Sequence, residues 1–368
     1  MFRSTTSVLA LLAAMTVPAV AADYGDWGDE ADTGPDFRTS YPVEPGDWAG
    51  LGDDDDPISL EFGIRYWYSM GQQEFTSGGG TVSSTDTSHI PELHLRIEDH
   101  STNTYASAIA GYAAVVNGTV STPSGSFPIV DGKTMYAGAD LGWNAWGDNN
   151  GSGIGPMVGY LYWKDQPDTG RFNYTTATSA ADITYDPATG QTFLPGASAE
   201  NSIETHALRL GISGKAKLGD MFDVTATIAG VPYAKVGGTA GVDDPTFSIT
   251  EYAGPAQPPY DLTNNGNISS MRSSPTAIDG WGYGAMADAF IGFHPTENLT
   301  FRLGGRAWYL QGTADTTYSR AVIGNATDSD ADGVYDTDPT FFNADFISTN
   351  NPFRMFRYGL LAEATYAF

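Results

Sequence analysis

An acidic run, DSDADGVYDTD, is the segment of this sequence whose residue types and spacing best fit metal chemistry. Alternating carboxylates at positions 1, 3, 5 and 9 of a loop can converge on one hard cation, and Gly333 at position 6 permits the turn. Pro339 stands where an EF-hand carries glutamate, so the run predicts a calcium loop of another type or, alternatively, an acidic loop in solvent. The candidate calcium ligands are Asp328, Asp330, Asp332 and Asp336.

A second group of reactive side chains lies in the segment ELHLRIED. In a β-strand, Glu92, His94, Arg96 and Glu98 would share one face. A histidine between glutamates could relay protons or bind a metal. The alternative, which we favour, is a charged inner face on which neighbouring opposite charges pair.

The elements that would position these groups are β-strands, and the clearest one closes the chain. FRYGLLAEATYAF alternates aliphatic or aromatic residues with a set that includes Arg357, Glu363 and Thr365. This period of two predicts a strand with one apolar face. A soluble domain usually ends in polar, frayed residues, so the aromatic terminus Phe368 favours lipid as the solvent of that face.

Composition supports an all-β protein and excludes one class of partner. The chain has 44 Gly and 20 Tyr in 368 residues, no Cys, and 17% charged residues. Glycine and aromatic richness is typical of β proteins. With 44 acidic and 17 basic residues, nucleic acid is excluded as a partner, because phosphate binding requires clustered cations.

The first residues read as an export signal followed by an acidic arm. Arg3, a short apolar run and the small residues Ala19-Val20-Ala21 predict a signal peptide over 1–21, with a mature start at Ala22-Asp23. Segment 22–57 has twelve acidic residues and no periodicity, which predicts a disordered periplasmic tail.

Ten alternating stretches follow, each long enough to cross an outer membrane. The connections alternate between short turns (DHSTN, GDNNGS, KLGD, HPTEN) and long polar segments. This predicts an antiparallel transmembrane β-barrel of about ten strands over 58–368, with both termini in the periplasm; a soluble β-sandwich is the alternative. The predicted strands are 58–75, 89–98, 104–116, 134–147, 153–165, 203–217, 221–236, 280–293, 298–312 and 355–368.

Charged residues on the predicted inner face carry both signs. A ten-stranded barrel is little wider than the eight-stranded barrels that side chains fill, so these charges are expected to pair and plug the lumen; a narrow conductance is the alternative. Besides the ELHLRIED group, they are Glu61, Arg65, Asp140, Arg209, Lys215, Lys217, Asp223, Asp288, Arg302, Arg306, Arg357 and Glu363.

The terminal YGLLAEATYAF resembles the last strand of Gram-negative outer-membrane proteins. The resemblance implies that Tyr366 and Phe368 form a signal for the barrel-assembly machinery, and that outer-membrane lipid and lipopolysaccharide surround the barrel. The ten-strand layout and the hairpin HPTENLTFRLGGRAWYL are similar to the omptin family of outer-membrane proteases.

The omptin mechanism, as the resemblance implies it, needs an Asp pair and an Asp-x-His on the outer rim. This chain departs from that pattern: the seventh strand leads to Asp243 and Asp244 without a histidine, and His206 has no aspartate two residues before it. We therefore predict a non-enzymatic barrel. Its histidines are His89, His94, His100, His206 and His294.

The mature N-terminus suggests a second resemblance. Many alphaproteobacterial outer-membrane barrels begin with Ala-Asp and an acidic segment, and some are joined to peptidoglycan through the N-terminal amine. Ala22 and Asp23 match that start. The tail is thus a candidate tether to the wall or, alternatively, a simple spacer.

Replacing the terminal aromatic residue tests the barrel interpretation. We expect Phe368→Asp to lower the amount of assembled protein in the outer membrane, because it deletes the aromatic end of the closing strand. Immunoblotting of membrane fractions measures this. Accumulation of the variant at the wild-type level would contradict the assignment of Phe368 as an assembly signal.

Overall fold

The structure, a computed structural model, describes most of the chain from residue 57 onward. The described ranges are 57–77, 80–113, 115–123, 125–130, 132–148, 152–167, 172–182, 184–186, 191–199, 201–219, 221–240, 251–255, 270–324 and 340–368. The predicted signal peptide and the tail up to residue 56 lie outside these ranges.

The described residues form eighteen β-strands and one short 3₁₀-helix, Ala180–Asp182. The strands are β1 (Ile58–Ser77), β2 (Gly80–Asp99), β3 (Thr104–Ala113), β4 (Val116–Thr122), β5 (Gly125–Pro128), β6 (Lys133–Trp143), β7 (Trp146–Asp148), β8 (Ser152–Gln166), β9 (Phe172–Thr175), β10 (Thr184–Asp186), β11 (Gln191–Ala199), β12 (Ser202–Lys217), β13 (Phe222–Ala240), β14 (Glu251–Pro255), β15 (Ser270–Arg272), β16 (Thr276–Phe293), β17 (Leu299–Gly324) and β18 (Thr340–Ala367).

Ten of these strands close into a ring. Their order is β1-β18-β17-β16-β13-β12-β8-β6-β3-β2, and β2 pairs with β1 to complete the circle. Every pairing in the ring is antiparallel. The prediction of an antiparallel barrel of about ten strands is therefore confirmed.

The alternation of side chains separates the outside of the barrel from its lumen. In β12, Leu208, Leu210 and Ile212 are exposed on the outer face, whereas Ala207 and Arg209 are buried inside. The same division holds along β17, where Leu303 is 71% exposed and Arg302 only 6%. An apolar outside around a charged inside reverses the arrangement of a water-soluble barrel and is typical of one that spans a membrane.

Aromatic residues border the apolar band at both ends. We call the end that carries both barrel termini and the turns near 101, 145, 219 and 296 the short-turn end, and the opposite one the hairpin end. Along β16, ten residues separate Phe293 from Tyr283, about 25 Å of height for a strand tilted by about 40°. Exposed aromatics at the hairpin end include Tyr66, Tyr68, Tyr112, Tyr160, Tyr233, Trp281, Tyr283 and Tyr309; at the short-turn end they include Phe62, Trp143, Trp146, Phe222, Phe293, Phe301, Tyr366 and Phe368.

The long polar connections predicted at the hairpin end are in part strands. β2 begins at Gly80 rather than 89, β17 runs on to Gly324, and β18 begins at Thr340 rather than 355. Sequence patterning missed these extensions because the β2 extension is largely polar and the apolar residues of the β18 extension stand in adjacent pairs, Phe341-Phe342 and Phe346-Ile347, so no period of two is visible. We call β15 with the segments 316–324 and 340–350 the projecting sheet.

A smaller sheet of β9, β10, β11 and β14 also belongs to the described chain. Beside it, the backbone N–H and hydroxyl of Thr178, with those of Ser179, donate to Asp182. These hydrogen bonds lower the pKa of the Asp182 carboxyl. In the described part of the chain, no helix is long and apolar enough to cross a membrane.

Candidate functional site

The chemistry-bearing side chains of the barrel converge in its lumen, as the alternation predicted. Glu92, His94 and most of the predicted inner charges are buried or half-buried there. Lys217 is the exception, because it is exposed at the short-turn end of β12.

Glu363 on β18 is one centre of the ion-pair network. Arg65 Nε donates to its Oε2 at 2.7 Å, and His94 Nδ1 lies 3.1 Å from its Oε1. Arg302 Nη1 donates to the same Oε1 at 3.4 Å. The Glu363 side chain has no exposed surface, so its charge is balanced by these protein groups and not by bulk water.

Glu92 on β2 is the second centre. Arg65 Nη1 donates to its Oε1 at 3.1 Å, and Arg306 Nη1 donates to its Oε2 at 2.5 Å. The Tyr136 hydroxyl donates to Oε2 as well. Arg65 therefore joins both glutamates, and the two centres form one network on the lumen face of β2, β1, β18 and β17, which are consecutive in the ring.

The network extends around the wall through further arginine–carboxylate pairs. Arg306 Nε donates to Asp288 Oδ1 at 2.6 Å, and Arg209 Nη1 donates to Asp140 Oδ2 at 3.2 Å. Arg302 also pairs with Glu61. Burial of so many charges is tolerable only because each has an opposite partner within hydrogen-bonding reach.

A layer of four aromatic rings crosses the lumen above this network. Trp67, Trp163, Trp308 and Tyr136 are at most 3% exposed. Trp308 makes edge-to-face contacts with the other three at centroid distances of 4.9, 5.6 and 5.0 Å. The Arg306 guanidinium lies 5.3 Å from the Trp308 ring, so the charged and aromatic layers are in direct contact.

A second charged cluster lies towards the hairpin end of the aromatic layer. Arg357 is 1% exposed and pairs with Asp86 at 3.0 Å and Asp165 at 3.2 Å. Gly71 makes room for it: a Cβ there would lie 2.3 Å from Asp86 Oδ2 and 2.6 Å from Arg357 Nη2. Apolar side chains surround the clusters and fill further lumen, among them Ile90, Leu161, Leu310, Phe353 and Met355.

A cavity of about 100 Å³ remains within the charged network. Arg65, Arg96, Asp140, Lys215 and Asp288 contribute to its wall. It is large enough to hold several water molecules, since one water needs about 10–15 Å³ of such volume. The described lumen can thus hold a few polar molecules, while the aromatic layer fills the space beside it.

The arrangement around His94 decides between the two interpretations of the ELHLRIED group. Ligand atoms of Glu61, His94 and Glu363 lie within 4.8 Å of one another, close enough to share a cation. However, Arg302 donates to both glutamates, and Arg65 donates to Glu363. These guanidinium groups already supply the positive charge that a metal would bring, so the geometry favours the charge-paired face.

The remaining histidines lie away from the lumen centre. His89 and His206 are exposed on the outer wall, where each accepts or donates a hydrogen bond with a tyrosine, Tyr66 or Tyr160. His100 and His294 lie at the short-turn end, as predicted. His294 bridges Asp223 and Thr300, at 2.8 Å each, and so fastens a turn to the wall.

The other site residues predicted from the sequence are the assembly signal, the tether and the calcium candidates, and the structure describes only the first of these. Phe368 donates its backbone N–H to the Leu60 carbonyl at 2.9 Å, and its ring packs edge-on against Tyr366 at 4.9 Å. Ala22, Asp23, Asp243 and Asp244 lie outside the described residues. So do the calcium candidates Asp328, Asp330, Asp332 and Asp336, which stay a prediction.

Sequence reasoning missed the aromatic layer and the acidic partners of Arg357. The sequence did contain a signal for one ring of the aromatic layer. Trp67 follows Arg65 by two residues in β1 and therefore shares its inward face. Asp86 lay in a segment interpreted as a polar connection. Asp165 closed a predicted strand but was not recognised as inward-facing.

Comparisons with known proteins agree with this architecture. No family model and no curated protein matches the chain. The outer-membrane protease OmpT from Escherichia coli is similar in structure, with a TM-score of 0.50 and 8% identity over 85% of this chain and 97% of OmpT. At that identity the likeness shows a shared fold and does not extend to activity.

Two more solved structures are outer-membrane barrels. The translocator domain of the autotransporter NalP from Neisseria meningitidis has a TM-score of 0.31 and 10% identity over 87% of this chain and 92% of its own. A FadL homologue from Pseudomonas aeruginosa has a TM-score of 0.28 and 9% identity over 84% and 90%. Similarity this low supports no argument about the present chain.

Neutralising one centre of the network tests its role in stability. We expect Glu92→Gln to lower the free energy of unfolding by about 3–5 kcal/mol, because it leaves two buried arginines short of counter-charge. The control is Glu74→Gln, which removes the exposed partner of Arg354 and should cost no more than about 1 kcal/mol. Urea unfolding in detergent micelles measures both, and equal losses would contradict the assignment.

Proposed function

We propose that this chain is a non-enzymatic outer-membrane β-barrel that serves envelope integrity or surface interaction. One observation carries the proposal: charge pairs and the Trp67–Trp163–Trp308–Tyr136 layer occupy the lumen. If the interior is packed, only the two ends and the outer wall of the barrel are accessible to binding partners.

The apolar band sets the placement we propose. Its aromatic borders fit the two interfaces of a bilayer, with lipid and lipopolysaccharide around the wall. Outer-membrane barrels keep short turns in the periplasm, so the short-turn end is periplasmic here and the projecting sheet faces outward. Tyr366 and Phe368 then lie where the barrel-assembly machinery would meet the terminal strand.

The network also argues against a conducting pore. An ion passing the lumen would have to displace either an aromatic ring or a buried arginine–carboxylate pair, and breaking such a pair costs about 3–5 kcal/mol. The narrow channel that the sequence left open is therefore disfavoured in the ground state.

An omptin-like rim protease is the least supported alternative. Such a site needs a histidine whose ring is oriented by a carboxylate near the outer rim. Towards the hairpin end, His89 and His206 face outward and hydrogen-bond to tyrosines. Their surroundings fit an interfacial aromatic belt better than a general base.

Planar-bilayer recording tests the closed lumen. We expect the refolded wild-type barrel to give no steady unitary current, because the aromatic layer blocks the path. The variant Trp67→Ala/Trp163→Ala/Trp308→Ala should conduct if it assembles, as shown by heat-modifiable gel migration. Steady wild-type current would instead support the channel alternative.

We propose further that the tail is a tether to peptidoglycan. With a periplasmic short-turn end, a mature chain starting at Ala22 would have about 36 residues before β1, with a reach of up to roughly 120 Å if fully extended. That reach would allow the N-terminal amine to meet the wall, and a plain spacer is the alternative.

Digestion of purified sacculi tests this attachment. Muramidase treatment and mass spectrometry should release muropeptides joined to an Ala22-Asp23 peptide, since the amine is the only acceptor that the tether requires. Recovery of unmodified N-terminus alone, in fractions free of sacculi, would reduce the tail to a spacer.

A further inference from the structure

The projecting sheet has one open side. β18 last pairs with β1 at Phe353, opposite Phe75, but continues beside β17 up to Thr340. The outer side of β17 is paired with β16 as far as Thr317 and then with β15. Within the described part of the chain, no strand pairs with the other side of residues 340–352.

This open edge lacks the usual protection against pairing. Natural sheets guard exposed edges with lysines, prolines, bulges or short strands, because the unpaired N–H and C=O groups are a template for another strand. Segment 340–350, TFFNADFISTN, contains one charge, Asp345, whose carboxylate accepts a hydrogen bond from Ser319 Oγ at 2.6 Å. Asn350 has a φ of 57° and lies at the base of the projecting sheet, and no other residue of the described segment 340–350 has a positive φ.

Apolar side chains flank the edge on both faces. Phe342 and Phe346 are 56% and 42% exposed on one face, and Ile347 is 69% exposed on the other. Phe346 stacks on Tyr318 at 5.1 Å, and the Arg272 guanidinium lies 3.6 Å from the Tyr318 ring centre. Exposed aromatic residues held in place beside arginine are typical of protein interaction surfaces.

The geometry points to the outer edge of β18, residues 340–349, as a strand-addition site for an extended segment of another polypeptide. Main-chain hydrogen bonds would supply affinity, and apolar side chains alternating on the added strand would pack on Phe342 and Phe346 on one face and Ile347 on the other. The open row of peptide groups selects a strand rather than a lipid or a sugar. The inference rests on the proposed surface-interaction function and specifies the chemistry of its partner.

A labelled peptide tests the site on the full-length barrel refolded in detergent. The probe is TTYSRAVIG, residues 316–324, because this chain already pairs that segment with the other side of β18. Fluorescence anisotropy should show saturable binding. Hydrogen exchange with mass spectrometry should show added protection of the amides in 340–349.

The variants place charges beside the edge or away from it. Phe342→Lys/Ile347→Lys should weaken binding at least about tenfold, since edge lysines are the natural guard against strand addition. The matched control Val115→Lys/Val130→Lys changes two residues that are 63% and 64% exposed outside the projecting sheet, and should bind as wild type. Heat-modifiable migration confirms that each variant is folded.

Three results would overturn the inference: no wild-type binding, protection confined to residues outside 340–349, or equal losses in both double variants. Self-association of the barrel through this edge without peptide binding would assign the edge to a second copy, and would also overturn it. The bilayer recording separates the two proposals. If the barrel does not conduct and does not bind the peptide, only the strand-addition site is rejected. If it conducts and binds the peptide, only the closed-lumen function is rejected.

Discussion

The requirement that every buried charge find a partner governs the interior of this barrel. Glu92 and Glu363 have no exposed side-chain surface, and Arg65 donates to both. Burying one of these charges without a partner would cost several kcal/mol of folding free energy. The glutamates therefore determine where the arginines lie, and the arginines determine where the glutamates lie. The four strands involved, β2, β1, β18 and β17, are consecutive in the ring, so this network fastens one section of the wall. Arg357 on β18, by contrast, reaches Asp165 on β8 at the opposite side of the lumen.

The aromatic layer depends on that network. Arg306 pairs with Glu92 on one side and lies 5.0 Å from Trp67 and 5.3 Å from Trp308 on the other. The rings can pack densely because the cation below them is held in place. Charge pairing and close packing together give the membrane-spanning part of the molecule a solid interior, resembling the core of a soluble protein enclosed in an apolar wall.

The proposed function assigns recognition to the ends of the barrel. The wall is apolar and side chains occupy most of the described lumen, so the surfaces that we propose for recognition are the short-turn end and the projecting sheet. The projecting sheet extends beyond the apolar band, with β17 and β18 running well past their neighbours. An open strand edge with exposed phenylalanines is costly unless something uses it, since such edges promote aggregation.

Side-chain alternation determined much of the fold from sequence alone. Glu363 and Arg357 on one face of the last strand, with Leu360 and Tyr366 on the other, already specified an apolar outside and a charged inside, because a strand has a period of two whatever its neighbours are. The short turns fixed antiparallel neighbours. The predicted inward charges lie in the lumen except Lys217, while Asp86 and Asp165, the partners of Arg357, were missed.

What the sequence left open depended on closing the ring. Alternation states which face of a strand a residue occupies, but not which residue it contacts inside the closed barrel. Neither the pairing of Arg306 with Glu92 nor the contact between three tryptophans that are distant in sequence could therefore be inferred. The extensions of β2, β17 and β18 were missed for a related reason. Their pairing comes from main-chain hydrogen bonds, and their apolar residues are either few or placed in adjacent pairs, so the sequence shows no period of two there. Tertiary closure decided these features, because only closure sets the distances across the lumen.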